Sequence, residues 1–182
     1  HSQGLVELEE RDNIPLKDYV KNSPKNVMMP GYAIKKHVVV EERTRALEKY
    51  AETAEINKAE YNSDEIGVIT SGTSYMYAKE ALGDRVSYLK LGMAYPMPTD
   101  LIKEFAGRVK KVFVIEELDP FIEEHCRALG IELVGKEAFT LLGEYTPTMI
   151  KKAVFGEAAD EFAELEEQIP ARPPVMCAGC PH

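Results

Sequence analysis

The chain has 182 residues, of which 22 are basic and 31 acidic, so its formal net charge is −9. Contacts to phosphate groups require a basic face, and this charge therefore argues against nucleic acid and anionic membranes as partners. Hydrophobic residues make up 45% of the chain, which excludes wholesale disorder. Three cysteines are too few for a disulfide-stapled secreted domain and indicate a soluble protein of the reducing cytoplasm.

The first 63 residues predict an arm and one helix. The sequence does not begin with Met, and "HSQGLVELEE" lacks the basic start and apolar core of a signal peptide, so we expect a fragment of a longer polypeptide. Three prolines between Pro15 and Pro30, with polar residues between them, predict a long arm that lies over another surface. The three-to-four spacing of apolar residues then predicts an amphipathic helix from Glu41 to about Asn57.

From Asp64 onward, short apolar strands alternate with helices of about ten residues, a pattern typical of βαβ units. We therefore predict a three-layer α/β/α domain from about residue 64 to 156, with a mostly parallel sheet. The predicted strands are 65–70, 85–91, 110–117 and 131–135. The predicted helix boundaries are Thr99, Asp119 and Thr146 as N-caps, Pro120 and Pro147 at the first helical position, and Gly83, Gly107 and Gly130 at the C-terminal ends.

Residues 157–182 have a different composition. "EAADEFAELEEQI" predicts an acidic helix, and the Pro-rich "PARPP" that follows it is typical of a linker to another domain.

Two groups of polar residues follow predicted strands, at the edge where parallel sheets usually bind ligands. The first group is Ser71, Gly72, Thr73 and Ser74. Its hydroxyl and amide groups could bind a phosphate at a helix N-terminus, or they could only cap that helix. With one glycine, no G-x-G-x-x-G and no P-loop lysine, capping is the simpler interpretation. The acidic residues near position 117 could carry out acid/base chemistry or could cap the helix that follows them: Glu116, Glu117 and Asp119. Capping is the favoured interpretation, because acids at a helix N-terminus are stabilised by the helix dipole.

The isolated Cys and His residues give weaker signals. Cys126 shares a helical face with Ile122 and Leu129, which predicts a small core side chain rather than a nucleophile. His125 and His37 have no partner in the sequence that indicates catalysis.

Cys177 and Cys180 have a spacing that lets both thiolates reach one metal ion. Pro181 follows the second cysteine directly, which does not fit haem attachment, and the Pro-rich context does not fit a thioredoxin-like site. A zinc or iron-sulfur site would need two further ligands downstream of this pair.

Four stretches in this order closely resemble one family: "TSGTSYMYAKEAL", "LKLGMAYPMP", "VIEELDPFIEEH" and "RPPVMCAGCPH". They resemble the large subunit of indolepyruvate:ferredoxin oxidoreductase over essentially the whole chain. The resemblance implies the second, central domain of a thiamine-diphosphate enzyme, similar to the transketolase C-terminal domain, with one antiparallel strand in its sheet. It also implies that residues 1–63 connect from the preceding domain. Residues 157–182 would then hold the acidic helix, the Pro-rich linker and the start of the thiamine-diphosphate-binding domain, which opens at residues 175–182.

The activity that the resemblance implies is oxidative decarboxylation of aryl pyruvates in the cytoplasm. Coenzyme A would accept the acyl group and ferredoxin the electrons, and the smaller subunit and the other domains would be partners. Thiamine diphosphate, Mg²⁺ and iron-sulfur clusters would belong to the parent enzyme, and we expect no cofactor and no catalytic residue in this fragment. The catalytic glutamate and the magnesium ligands of the family lie in other domains.

Cys177 and Cys180 are similar to a C-x-G-C that supplies two ligands to a four-iron cluster in related two-oxoacid oxidoreductases. Pro181 and His182 depart from the usual continuation of that motif. Two other hypotheses remain: a free-standing phosphate- or nucleotide-binding module at Ser71–Ser74, and a zinc-dependent interaction module built on the cysteine pair.

Overall fold

A computed structural model describes residues 7–10 and 12–157, and these fall into two compact units divided after Arg45. The first unit contains the short helix α1 (Ser23–Asn26) and the start of α2 (Pro30–Ala51). The helix predicted from Glu41 to Asn57 therefore begins and ends earlier than expected. Proline is tolerated in the first turn, where its missing N–H would have no partner, so Pro30 starts α2 and part of the predicted arm is helical.

The second unit contains a four-stranded sheet in the order β1-β3-β2-β4. Strands β2, β3 and β4 are parallel, and β1 pairs with β3 in the antiparallel sense, which confirms the expected mostly parallel sheet with one antiparallel strand. Strand β1 precedes residue 64, so the sheet starts before the predicted α/β domain does. The strands are β1 (Lys58–Glu60), β2 (Ile66–Ser71), β3 (Ser87–Leu91) and β4 (Lys111–Ile115).

The fourth strand predicted at residues 131–135 is wrong. Only Val134 pairs with the sheet, through a single parallel bridge to Phe113. Its N–H donates to the Val112 carbonyl oxygen, and its own carbonyl accepts from the Val114 N–H, both at 2.9 Å. The polypeptide touches the edge of β4 at this point without forming a strand of the sheet.

Helices cover both faces of the sheet and make the predicted three layers. Side chains of β4 alternate between the faces: Val112 and Val114 lie in one apolar core, Phe113 and Ile115 in the other. The first core includes side chains of α4 and α5, the second those of α3 and α6. The helices are α3 (Gly72–Leu82), a 3-10 turn (Gly83–Arg85), α4 (Thr99–Ala106), α5 (Phe121–Ala128) and α6 (Pro147–Phe155).

The helix ends confirm some of the predicted caps and correct others. Thr146 caps α6 as predicted, because its hydroxyl accepts from the Met149 N–H. The predictions for α4 and α5 are wrong by one residue: the N-caps are Pro98 and Pro120, so Thr99 is already helical and Asp119 is not a cap. A proline cap offers no side-chain acceptor, which leaves the first N–H groups of both helices in need of another partner.

None of the helices within the described residues is long and apolar enough to cross a membrane. The acidic helix and Pro-rich linker predicted beyond Glu157, and the pair Cys177 and Cys180, lie outside the described residues.

Candidate functional site

A cleft of about 520 Å³ lies at the carboxyl edge of the sheet, within the second unit. Its walls come from the end of α2, the loop between β3 and α4, and the first turns of α4 and α5. The lining residues are Glu48, Lys49, Glu52, Tyr95, Pro96, Met97, Thr99, Asp100, Phe121 and His125.

Glu52 supplies the acceptors that the N-terminus of α4 lacks. Its two carboxylate oxygens accept from the backbone N–H groups of Asp100 at 3.1 Å and Leu101 at 2.9 Å. A carboxylate is favoured at this position because the helix dipole places partial positive charge there. Glu52 therefore ties the segment after α2 to α4 and occupies the place of a bound anion.

Glu116 has the same role at α5. Its carboxylate accepts from the backbone N–H groups of Ile122 at 2.8 Å and Glu123 at 2.9 Å. Burial raises the pKa of Glu116, and the two backbone hydrogen bonds and the nearby Lys136 oppose that rise. Lys136 also donates through its ammonium group to the Glu116 backbone carbonyl. Both oxygens of the Glu116 carboxylate bind the start of α5.

Glu117 and Asp119 are not brought together into an acid/base pair. The Glu117 carboxylate accepts from the Tyr145 backbone N–H at 2.7 Å, which fixes the loop before α6. The Asp119 side chain is exposed, and its backbone carbonyl accepts from the Phe121 N–H at 2.9 Å. Of the three acids singled out in the sequence, Glu116 caps α5, as the capping interpretation expects, whereas Glu117 binds the loop before α6.

Ser71, Gly72 and Thr73 stand where the sequence predicts, at the N-terminus of α3. Ser71 is the N-cap but its side chain makes no capping hydrogen bond, and Gly72 has a φ of 54°. Gly72 and Thr73 are exposed, whereas Ser74 is buried. This N-terminus, unlike those of α4 and α5, has no carboxylate from another segment among its described hydrogen bonds.

Large apolar side chains are exposed along this edge of the sheet. Tyr95 is 74% exposed, Leu118 66% and Phe121 53%. Leu118 also has a φ of 59°, a conformation that side-chain-bearing residues rarely adopt. Tyr95 and Phe121 line the cleft together with buried Pro96 and Met97, and charged side chains line it as well.

His125 and Cys126 lie next to each other on α5 but face different surroundings. His125 lines the cleft, and its Nε2 lies 3.5 Å from the Thr99 hydroxyl oxygen. Cys126 is fully buried in the core, where desolvation raises the pKa of its thiol to about 12. The prediction that Cys126 is a core side chain is confirmed, since a thiol that remains protonated is a poor nucleophile.

Within residues 7–10 and 12–157, no group of three or more His, Cys, Asp or Glu side chains is arranged to hold a metal ion. Sequence reasoning missed the roles of Glu52 and Tyr95, which depend on how distant segments meet. The sequence "YPMP" after a predicted strand could have indicated that Tyr95 lies in a loop at the edge of the sheet. Glu52 lies in an ordinary helical pattern, which gives no sign of its role.

No protein-family model matches the chain. Curated relatives do: the indolepyruvate oxidoreductase subunit IorA of Archaeoglobus fulgidus is 34% identical over 204 residues, an alignment that covers all of this chain and 32% of that subunit. The chain is homologous to part of IorA. The IorA of Methanothermobacter thermautotrophicus is also 34% identical, with the same coverage, and that of Pyrococcus horikoshii is 31% identical over 91% of this chain and 29% of its own length.

The predicted resemblance to indolepyruvate oxidoreductase is thereby confirmed, and the chain spans about a third of the length of these IorA relatives. A similar fold occurs in the solved 2-oxoglutarate:ferredoxin oxidoreductase of Magnetococcus marinus, which has 2-oxoglutarate, coenzyme A and succinyl-CoA bound. The TM-score is 0.54 at 22% identity, over 71% of this chain and 24% of that one. This likeness supports the α/β fold.

Proposed function

We propose that this chain is the central, non-catalytic domain of an IorA-type subunit, and that it packs between other domains of that subunit and its partner subunit. The parent enzyme would oxidatively decarboxylate aryl pyruvates such as indolepyruvate in the cytoplasm. Coenzyme A would take the acyl group and ferredoxin the electrons. Homology over the whole chain to one third of IorA supports this placement.

The observation that carries the non-catalytic role is the use of the acids at the carboxyl edge. Glu52, Glu116 and Glu117 each accept hydrogen bonds from backbone N–H groups, so their carboxylates serve the fold. A general base must instead reach a substrate proton with its free lone pairs. Glu52 and Glu116 hold the first turns of α4 and α5, which line the cleft, and Glu117 holds the loop before α6.

Within the described residues, no group of three or more His, Cys, Asp or Glu side chains is arranged to hold a metal ion. We therefore assign no step of the reaction to these residues. Thiamine diphosphate and Mg²⁺ belong, in this proposal, to the neighbouring domains of the subunit.

Two exposed aromatic side chains in the cleft support a packing role. Aromatic residues near the centre of an interface contribute much of its binding energy, because they bury a large area with little loss of side-chain freedom. Tyr95 and Phe121 line the same cleft and are both more than half exposed in this chain. We propose that they are buried against another domain in the assembled subunit.

The experiment places Tyr95→Ala/Phe121→Ala in the full-length subunit, purified anaerobically with its partner subunit. We expect the double variant to assemble poorly, with a loss of aryl-pyruvate-dependent ferredoxin reduction that follows the loss of complex. A matched control is Met76→Ala/Leu142→Ala, which removes two side chains that are 62% and 82% exposed and do not line the cleft. Wild-type assembly of the Tyr95/Phe121 variant would refute the packing role.

The rival function is phosphate or nucleotide binding at Ser71, Gly72 and Thr73. The uncapped N-terminus of α3 favours it, because the equivalent positions at α4 and α5 are filled by Glu52 and Glu116. Titration of the isolated chain with inorganic phosphate or ADP, monitored by NMR, tests it. Saturable binding that Gly72→Val abolishes would support this function, and an unresponsive protein would remove it.

For Cys177 and Cys180 we propose ligation of an iron-sulfur cluster in the intact subunit, by analogy with the family motif. Iron per subunit is counted in the anaerobic complex, with wild type set against Cys177→Ser/Cys180→Ser. Loss of about four irons together with electron transfer would support the proposal. Unchanged iron and activity would refute it, and stoichiometric zinc in metal-free buffers would favour the zinc module instead.

A further inference from the structure

Leu118 combines two unfavourable features in the turn between β4 and α5. Its φ of 59° lies in the left-handed region, and within residues 7–10 and 12–157 it is the one residue other than glycine with such an angle. A branched side chain there crowds the neighbouring backbone, which costs free energy that Gly, Asn or Asp largely avoids. The Leu118 side chain is also 66% exposed, so burial within this chain offsets little of the strain.

Contacts that do not involve the Leu118 side chain fix this turn. The Glu116 carboxylate accepts from two backbone N–H groups at the start of α5, at 2.8 and 2.9 Å. The Glu117 carboxylate accepts from the Tyr145 N–H at 2.7 Å. Glycine or asparagine at position 118 would fit the same turn with less strain, so the turn itself does not require leucine.

The combination of strain and exposure distinguishes Leu118 from an ordinary surface leucine. Single exposed apolar residues are common on proteins and need no explanation. Backbone strain that the surrounding contacts maintain is instead typical of functional positions. Phe121, three residues later, is the first residue of α5, lines the cleft and is 53% exposed. Two large apolar side chains therefore stand close together in sequence at the carboxyl edge of the sheet.

Another part of the same polypeptide is the occupant that fits this small surface. The IorA relatives align with the whole chain over about a third of their own length, so most of such a subunit lies outside these 182 residues. A stable interface between independent proteins buries about 800 Å² on each side, in about 20–30 residues. Two side chains supply far less. Domains of one polypeptide need less contact, because linkage gives them an effective concentration of about millimolar.

We propose that Leu118 inserts into an apolar pocket on another domain of the same IorA-type subunit, and that the left-handed turn presents it there. This inference rests on the proposed packing role and extends it to a residue that does not line the cleft. The pocket is apolar rather than basic, because the carboxylates of Glu116 and Glu117 are already bound to backbone donors. Burial of the leucine in that pocket offsets the strain of the turn.

A thiol reporter beside Leu118 measures whether the turn is covered. Asp119 is exposed, and its backbone carbonyl rather than its carboxylate holds the turn, so Asp119→Cys is a mild change. Iodoacetamide labelling of the peptide that holds residue 119 is followed anaerobically by mass spectrometry, in the 182-residue chain and in the full-length subunit without its partner. We expect labelling at least about tenfold slower in the subunit, which corresponds to a covered state about nine-tenths populated. The control Met76→Cys, at a 62% exposed position on α3, should be labelled equally fast in both.

Substitution of Leu118 then separates its side chain from the turn. Leu118→Asn suits a left-handed φ, so in combination with Asp119→Cys it should fold and lose the protection. Leu118→Met keeps the apolar volume and should keep the protection. Thermal unfolding of the 182-residue chain, followed by circular dichroism, checks the strain: Leu118→Asn should have a higher midpoint than Leu118→Ala, which retains the strained conformation.

Four results would overturn the proposal. Equal labelling of Asp119→Cys in the chain and in the subunit would show that no domain covers the turn. Equal slowing of Met76→Cys would show general shielding. Protection that appears only with the partner subunit, or in the 182-residue chain as its concentration rises, would assign Leu118 to that subunit or to a second copy. Protection that persists in Leu118→Asn would show that the side chain is not the anchor.

The assembly test of Tyr95→Ala/Phe121→Ala separates a failure of this inference from a failure of the packing role. If residue 119 stays freely labelled while that double variant fails to assemble, the inference about Leu118 is wrong and the packing role stands. If the double variant assembles like wild type, the packing role itself is refuted.

Discussion

Replacing Glu116 with alanine should destabilise the domain strongly, because two buried backbone donors lose their acceptor. The carboxylate oxygens lie 2.8 Å from the Ile122 nitrogen and 2.9 Å from the Glu123 nitrogen. Each buried donor left without a partner costs about 1–3 kcal/mol. Removing the carboxylate also removes its own burial cost, which offsets part of the loss. We therefore expect the free energy of unfolding to fall by about 2–4 kcal/mol.

Urea denaturation followed by circular dichroism measures this loss, with Glu117→Ala as the comparison because that carboxylate accepts a single backbone hydrogen bond, from the Tyr145 N–H. We expect about 1–3 kcal/mol for Glu117→Ala. An unfolding midpoint of Glu116→Ala equal to that of wild type would refute the reasoning, since the two α5 donors would then have found other acceptors.

The remaining predictions concern Glu116, Gly92, Cys126 and Thr70. Burial raises the pKa of Glu116, so the folded state holds this proton more tightly than the unfolded chain does. The stability of wild type relative to Glu116→Gln should therefore fall as pH rises from the unfolded pKa of about 4.3 through the raised folded pKa. Urea titrations at several pH values check the sign, and a relative stability that grows with pH would contradict it. Gly92→Ala should cost about 1–3 kcal/mol in the same denaturation assay, because its Cβ would lie 2.4 Å from the Ile56 carbonyl oxygen. Cys126, buried and with its thiol pKa raised to about 12, should resist iodoacetamide at pH 8 until the chain is unfolded, as peptide mapping by mass spectrometry would show. Thr70→Val should cost about 1 kcal/mol by removing the 2.7 Å hydrogen bond to the Ile115 carbonyl, and a midpoint equal to that of wild type would exclude a contribution from that bond.

The three parallel strands could be predicted because their own side chains carry the signal. Each is a short apolar run bounded by turn residues, and both faces are buried by helices. Strand β1 gave no such signal, since Lys58, Ala59 and Glu60 are weak strand formers. It forms because the free edge of β3 offers backbone partners, which is a property of the assembled sheet.

The candidate site was only partly predictable for the same reason. Glu116 and Glu117 could be singled out because they follow a recognisable strand at the ligand-binding edge. Glu52 could not, because its partners, the N–H groups of Asp100 and Leu101, lie on a helix that comes much later in the sequence. Pro98 as the N-cap of α4 has no side-chain acceptor, so the distant Glu52 carboxylate takes that place.

The most direct test of the central claim is the turnover of the intact enzyme with Glu116→Gln or Glu117→Gln in the full-length subunit. Aryl-pyruvate-dependent ferredoxin reduction is measured anaerobically and expressed per assembled, thiamine-diphosphate-loaded complex. A supporting domain predicts that kcat stays within about twofold of wild type, even where the yield of complex falls. General acid or base catalysis contributes about 10²–10⁴-fold, so a loss of that size per assembled complex would show that these acids take part in the reaction.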